Sequence, residues 1–84
     1  MEKIIDLFGK ELHVGDNVIT SHTAGTNVSY LEAGEIIDII HKKVVTNVVI
    51  KITNSGDTYH PYWNTGRERI MRFPREYCNL IKID

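Results

Sequence analysis

The sequence lacks the features of disulfide-bonded, membrane-spanning and strongly basic proteins. Its single cysteine, Cys78, cannot form a disulfide within the chain, which indicates a reducing compartment such as the cytoplasm. No run approaches the roughly 20 apolar residues of a membrane-spanning helix, and the first residues lack the apolar core of a signal peptide. The net charge of −1 at pH 7 excludes a protein that binds nucleic acid mainly by neutralising phosphates. We therefore expect a cytoplasmic protein with no membrane partner.

Catalytic and metal-binding motifs are also missing. The four histidines fall on separate predicted elements and lack the spacing of a zinc site. Cys78 has no recognisable base or oxyanion turn and is typical of a small buried apolar residue, although its reactivity stays open. The six glycines are scattered at turns and form no phosphate-binding loop. The sequence thus predicts no enzyme, no metal and no cofactor.

What is present is a strand-like pattern over one domain, residues 1–84. Apolar residues occur in short β-branched runs bounded by Gly, Asn, Asp and Pro, which predicts an all-β fold. We expect strands at residues 4–8, 12–20, 35–41, 44–53, 58–63, 67–73 and 80–83. In the longest of these, Val48, Ile50 and Ile52 share one face, which is predicted to be buried.

The connections between these strands carry their own signals. Gly15 is predicted to adopt a positive φ that other residues resist, and residues 54–57 read Asn-Ser-Gly-Asp, a turn sequence. The polar stretch 21–33 predicts a long loop containing Tyr30 and Leu31. Residues 74–77 predict a short helical turn before the last strand.

The turn and apolar positions follow the pattern G-x-x-L-x-V-G-D-x-V, then G-x-I, then F-P followed by a final apolar strand. The matching positions are Gly9, Leu12, Val14, Gly15, Asp16, Val18, Gly34, Ile36, Phe73, Pro74 and residues 80–83. This pattern resembles SH3-like barrels of the KOW and Tudor type and the small accessory proteins of that shape encoded by tailed bacteriophages. The resemblance implies a small five-stranded SH3-like barrel with a short helical turn before the last strand. It also implies a phage-encoded protein in the host cytoplasm.

The segment from Tyr59 to Arg75 is the strongest candidate for a binding surface. It combines aromatic rings with all four arginines of the chain, and such side chains dominate protein interfaces and also stack on bases and reach phosphates. The structural alternative is that one alternating set, including Trp63, forms the barrel core and that the arginines are solvated partners of neighbouring acids. The predicted binding residues are Tyr30, Tyr62, Trp63, Arg67, Arg69, Arg72 and Arg75.

Two functions fit this candidate surface. The first is a non-catalytic binding module, a small accessory or regulatory protein that docks onto a larger host or phage protein through the loop 21–31, Tyr62, Trp63, Arg67 and Arg69. The alternative is a nucleic-acid-binding protein, with the arginines on phosphates and Tyr62 or Trp63 stacked on a base. A protein partner is preferred because the overall charge is close to neutral. The sequence is compatible with a monomer and with a homodimer.

Overall fold

Five antiparallel β-strands form one open sheet in the computed structural model, which describes residues 4–23, 29–57, 65–73 and 79–83. The strands are β1 (Asn17–Thr23), β2 (Ser29–His41), β3 (Thr46–Ser55), β4 (Glu68–Phe73) and β5 (Leu80–Ile83). Their order across the sheet is β4-β3-β2-β1-β5. The described residues contain no helix, so the predicted all-β class is confirmed.

The buried face of β3 is the one expected from its alternation. Val48, Ile50 and Ile52 are fully buried, whereas Lys51 is exposed. We call this side of the sheet the inner face, and the opposite side the outer face. The predicted helical turn at 74–77 and the predicted strand at 58–63 lie outside the described residues. Within the described residues, the sheet does not close into a barrel.

The predicted loop at residues 21–33 is wrong over most of its length. β1 continues to Thr23 and β2 begins at Ser29, with His22 and Tyr30 directly opposite each other in the ladder. The error has a physical cause. The residues that point inward here include Thr20 and Glu32, both buried, so the alternation of apolar and polar side chains that marks a strand is absent.

The Val-Gly-Asp-x-Val motif forms the entry to β1. Gly15 has a φ of 98°, as predicted for a residue that must be glycine. Its N–H donates to the carbonyl oxygen of Ile36 at 2.8 Å. Asp16 Oδ2 accepts a hydrogen bond from the backbone N–H of His13 at 2.7 Å and lies 3.6 Å from Lys82 Nζ. The motif therefore fixes the chain direction next to β2 and β5.

The hydrophobic core lies against the inner face of the sheet. The segment before β1 covers part of it with Ile4 and Leu12, which are joined by a backbone hydrogen bond of 2.8 Å from Leu12 N–H to the Ile4 carbonyl. The other buried members of the core are Val18, Ile36, Val48, Ile50, Ile52, Met71, Phe73 and Leu80. The N-terminal segment thus completes the core that the sheet alone leaves open.

A buried carboxylate attaches this segment to the last strand. Asp6 Oδ1 accepts hydrogen bonds from the backbone N–H groups of Phe8 at 2.9 Å and Lys10 at 2.8 Å, and Oδ2 accepts one from Lys82 at 2.9 Å. Burial alone raises the pKa of Asp6, but the hydrogen bonds from Lys82, Lys10 and Phe8, with the charge of Lys10, outweigh burial and hold that pKa below its ordinary value.

A bend in β2 depends on Gly34. The ladder between β2 and β3 changes register between Ala33 and Gly34, which is a β-bulge that bends the strand. A Cβ at Gly34 would lie 2.6 Å from Ile50 Cγ2 and 2.6 Å from the carbonyl oxygen of Lys51. Only glycine allows the two strands to approach this closely.

Replacing Asp6 with asparagine should make stability less dependent on pH. A carboxyl whose pKa is lowered in the folded state stabilises the protein above its unfolded pKa, near 3.9, and loses this contribution as pH falls through the folded pKa. The wild type should therefore exceed Asp6→Asn in unfolding free energy at pH 7, and the difference should shrink below about pH 4. Urea unfolding across this pH range measures it. The exposed Asp38→Asn variant is the control, and a constant difference would contradict the assignment.

Gly34→Ala should destabilise the protein by about 1 to 3 kcal/mol, the usual cost of overpacking. The added methyl group meets a backbone oxygen as well as the Ile50 side chain, so a rotamer change cannot relieve both contacts. Urea unfolding is the measurement, with Ala33→Ser as the neighbouring control. Equal stability of Gly34→Ala and wild type would show that β2 and β3 do not need this close approach.

Candidate functional site

An ion pair lies beneath the surface at one end of the inner face. Arg69 Nε donates to Glu32 Oε1 at 3.1 Å, and Arg69 Nη2 donates to Glu32 Oε2 at 3.1 Å. The Glu32 side chain is 0% exposed and the Arg69 side chain 22%. This two-pronged geometry suits a guanidinium and a carboxylate, and a lysine cannot reproduce it.

The pair joins two strands that are not neighbours in the sheet. Arg69 lies opposite Ile50 in the ladder between β3 and β4, whereas Glu32 lies on β2 beyond the bend at Gly34. Beyond this bend, the carboxylate of Glu32 meets the guanidinium of Arg69 at one end of the inner face. Hydrogen bonding to Glu32 raises the pKa of Arg69 against the opposing effect of burial, and the charge of Glu32 and the contact with Tyr30 add to the rise.

Two further side chains extend this pair. Tyr30 also contributes to the raised pKa of Arg69, and the rings of Tyr30 and His22 lie 5.4 Å apart at an angle of 59°. We call His22, Tyr30, Glu32 and Arg69 the polar cluster. The strands supply them at inward-facing positions, since His22 and Tyr30 are paired in the ladder and Glu32 is two residues further along β2. The cluster occupies the end of the inner face that the apolar core does not fill.

An open cleft of about 380 Å³ adjoins the polar cluster. Its lining residues are Ser21, His22, Thr23, Arg69, Ile70, Met71 and Asn79. These residues come from β1, from β4 and from the position before β5, although two strands separate β1 from β4 in the sheet order. The sheet is therefore strongly curved. Ser21 Oγ donates to Asn79 Oδ1 at 3.0 Å across one side of this edge cleft.

A second recess lies on the outer face, and we call it the outer groove. It has a volume of about 230 Å³ and is lined by Ile19, Leu31, Glu32, Ala33, Asn54, Ser55 and Gly56. Leu31 is 64% exposed, and its carbonyl accepts a hydrogen bond from the Gly56 N–H at 2.8 Å. Ile81, Ile19 and Ala33 are consecutive partners across β5, β1 and β2, so an apolar row leads to the groove.

The structure separates the sequence-predicted binding residues. Tyr30 and Arg69 meet in the polar cluster, where Arg69 is paired with Glu32 and is less exposed than a surface contact requires. Arg67 and Arg72 are exposed, but strand alternation places Arg72 on the outer face and Arg69 on the inner face. The arginines of β4 therefore do not form one strip. Tyr62, Trp63 and Arg75 lie outside the described residues, and the binding roles of all these residues stay predictions.

Two histidines that are distant in sequence line one depression. His13 and His41 border a recess of about 190 Å³ beside Ile4 and Glu11. His13 Nε2 lies 2.8 Å from Glu11 Oε2, and His41 Nδ1 lies 3.2 Å from Thr46 Oγ1. Among the described residues, no three His, Cys, Asp or Glu side chains are arranged to hold a metal ion. Cys78 lies outside these residues.

Sequence reasoning missed Glu32 and the outer groove. Glu32 lies in an acidic stretch with Glu35 and Asp38, and acidic side chains are mostly exposed to solvent. Strand alternation could have identified it, because Glu32 is two residues before Gly34 and four before Ile36, which both face inward. The groove has no such signal, since it forms only where three strands and Gly56 meet.

The fold and these recesses define a small all-β protein whose described residues include a polar cluster around a buried carboxylate. Residues 4–83 match the model of a family described as Domain of unknown function (DUF7205), and the chain belongs to this family. No curated protein and no solved structure matches the chain. In the part of the chain that the structure describes, no helix is long and apolar enough to span a membrane.

Arg69→Ala should destabilise the fold because it leaves the Glu32 carboxylate buried without its cation. Since Arg69 keeps 22% exposure, we expect about 2 to 3 kcal/mol, just below the usual cost of breaking a buried pair. Chemical denaturation measures the change.

The control for this loss is Arg67→Ala, which removes an exposed arginine two positions away and should change stability by less than about 0.5 kcal/mol. Adding Glu32→Gln should reduce the cost of Arg69→Ala, because the buried negative charge is then gone. Strictly additive effects of the two substitutions would contradict the pairing.

Proposed function

We propose that this protein is a non-catalytic binding module that docks onto a larger protein through the outer groove. The observation that supports this function most directly is Leu31, a large apolar side chain that is 64% exposed at the rim of an apolar recess. Protein interfaces gather such side chains around a recess that excludes water when the partner is bound. Leu31 also belongs to the segment that the sequence marks as a docking surface.

The groove is built to keep its shape. Its floor consists of Ile19 and Ala33, which are direct partners in the ladder between β1 and β2. Its wall is fixed by the hydrogen bond from Gly56 to Leu31 and by the Thr53 hydroxyl, which donates to the Ala33 carbonyl at 3.2 Å. A protein whose recess is preformed loses little conformational entropy when a partner binds. This favours recognition of a folded surface or an extended segment over induced folding.

We also propose a fold, a location and a biological role for this binding module. The strong curvature of the sheet, which brings β1 and β4 to one cleft, supports an SH3-like barrel. The single cysteine supports a reducing, cytoplasmic location. The resemblance to small barrel proteins of tailed bacteriophages supports an accessory or regulatory role on a host or phage protein. In this role the chain contributes binding and no chemistry of its own.

Nucleic-acid binding is the competing function, and the geometry favours it less. Arg69 is neutralised by Glu32, and Arg72 lies on the opposite face of β4 from Arg69. The positive charge of the segment is thus divided between two sides of the sheet. Fluorescence of Trp63, the only tryptophan, titrated with single- and double-stranded oligonucleotides at low and physiological salt, tests this alternative. Saturable quenching that weakens with salt would support nucleic-acid binding and contradict the proposal.

Leu31→Asp should weaken partner binding without unfolding the protein. A carboxylate at the rim of the groove must be desolvated when a partner covers it, which should weaken binding by at least about tenfold. The measurement is quantitative affinity capture with wild type and variant, followed by identification of proteins whose recovery depends on Leu31. Capture should persist at high salt, because the contact is apolar.

The matched control is Val44→Asp. Val44 is 81% exposed in the turn between β2 and β3, at the opposite end of β2 from Leu31. It carries the same change of charge and polarity away from the groove and should leave partner recovery unchanged. Equal recovery with wild type and Leu31→Asp, or equal loss with both variants, would contradict docking through the groove.

A further inference from the structure

The two outer edges of the sheet differ in how they end. On β5, the Leu80 carbonyl accepts a hydrogen bond from the Leu7 N–H at 2.8 Å. Two positions further on, the Lys82 N–H donates to the Asp6 carboxylate at 2.9 Å. The N-terminal segment therefore covers this edge. Covering an edge prevents it from pairing with a further strand, which an uncovered edge does readily.

β4 forms the opposite edge, and alternate residues direct their backbone groups away from β3. The Arg67 carbonyl accepts a hydrogen bond from the Ile52 N–H at 2.8 Å, so Arg69, two positions further on, also directs its backbone groups to β3. Glu68 and Ile70 direct theirs outward. In the part of the chain that the structure describes, these outward N–H and carbonyl groups have no hydrogen-bond partner.

The edge of β4 is open beside Ile70. The Ile70 side chain is 46% exposed and lies on the outer face, opposite Val49 in the ladder. The edge cleft of about 380 Å³ borders the same stretch of β4 and lies between it and β1. The described part of the sheet thus leaves space beside the outward backbone groups of β4.

The charged side chains at this edge form two rows of opposite sign on the outer face. Glu35, Lys51 and Glu68 are direct partners across β2, β3 and β4. One lysine thus lies between two acids, and the row has an excess of negative charge where it reaches the edge. Arg72 is exposed and lies opposite Asn47, so its row ends in a positive charge. A further strand can complement both ends.

The edge of β4 is complementary to itself. Its outer-face positions are Glu68, Ile70 and Arg72, with the apolar residue midway between opposite charges. When two such strands pair antiparallel about Ile70, Glu68 of each faces Arg72 of the other and the two Ile70 side chains meet. Opposite charges and apolar side chains directly across a ladder stabilise it, whereas like charges destabilise it. The same register joins the outward N–H of each Ile70 to the carbonyl of the other.

We infer that two copies of this chain pair their β4 strands antiparallel about a two-fold axis at Ile70, so that their sheets join into one. Because each copy uses the same surface, the contact closes as a dimer. Each copy contributes one strand of 6 residues, a small interface that gives a weak dimer. None of the residues lining the outer groove belongs to β4, so the inference does not rest on the proposed docking function.

Sedimentation velocity across micromolar to submillimolar concentrations tests this dimer. Wild type should shift from monomer to dimer as its concentration rises. Glu68→Arg and Arg72→Glu should each raise the dissociation constant by at least about tenfold, because each places like charges opposite one another at both ends of the pairing. The matched control is Glu35→Arg, which makes the same change in the same row but two strands from the edge, and it should dimerise like wild type. Circular dichroism should show all three variants folded, since each changes an exposed side chain.

A mixture of the two β4 variants gives the decisive result. In a mixed dimer, the positive charges of the Glu68→Arg copy face the negative charges of the Arg72→Glu copy, so both charge pairs are restored. The mixture should therefore associate at least about tenfold more tightly than either variant alone. Wild type that remains monomeric throughout, single variants that dimerise like wild type, or a mixture no stronger than its components would each overturn the proposal.

Amide hydrogen exchange measured by NMR locates the pairing. The Ile70 N–H should exchange quickly in dilute protein and slowly in concentrated protein. The Arg69 N–H, which faces β3, is the internal control and should be protected at both concentrations. An Ile70 N–H that is already protected in the dilute monomer would show that the chain covers its own β4 edge, which would also overturn the proposal.

Discussion

The burial of the Glu32 carboxylate is the constraint on which the polar cluster and the neighbouring ends of β2 and β4 depend. A carboxylate cannot remain charged away from water unless a cation and hydrogen-bond donors reach it. Here a guanidinium from β4 meets both oxygens, just beyond the register shift that bends β2 at Gly34. The bulge that bends β2 and the ion pair that joins β2 to β4 therefore lie side by side. Both features lie in the curved sheet that brings β1 and β4 to the two sides of one cleft.

The ion pair also determines which side chains of β4 are exposed. Sequence chemistry suggested that an arginine-rich strand would face a ligand, yet its central arginine is committed to an interior acid. At the β1-β2 end, Leu31 is the most exposed large apolar side chain among the described residues. The inner face is thus specialised for holding the fold and the outer face is left available for contact.

Much of the fold could be predicted from the sequence, because the predicted features depend on short local patterns. Gly15 needed a positive φ, and both the alternating run of Val48, Ile50 and Ile52 and the apolar strand at 80–83 could be read directly. The extension of β1 and the start of β2 could not, because their inward residues are polar and give no hydrophobic period. The candidate site was still less predictable. Pairing of Glu32 with Arg69 joins residues 37 positions apart, and no local pattern specifies a contact of that kind.

The hydrogen bond from Lys82 to Asp6 spans 76 positions. The N-terminal segment therefore makes this contact only after the last strand has been synthesised. Hairpins such as β2–β3 can form while synthesis is still under way, but β1 has its outer neighbour only when β5 exists. The anchoring of the N-terminal segment must also wait for residue 82. A large share of the closing contacts is therefore long-range, which slows folding because loop entropy is lost before those contacts are gained. Until residue 82 is in place, the core that Ile4 and Leu12 complete lacks its attachment to the last strand.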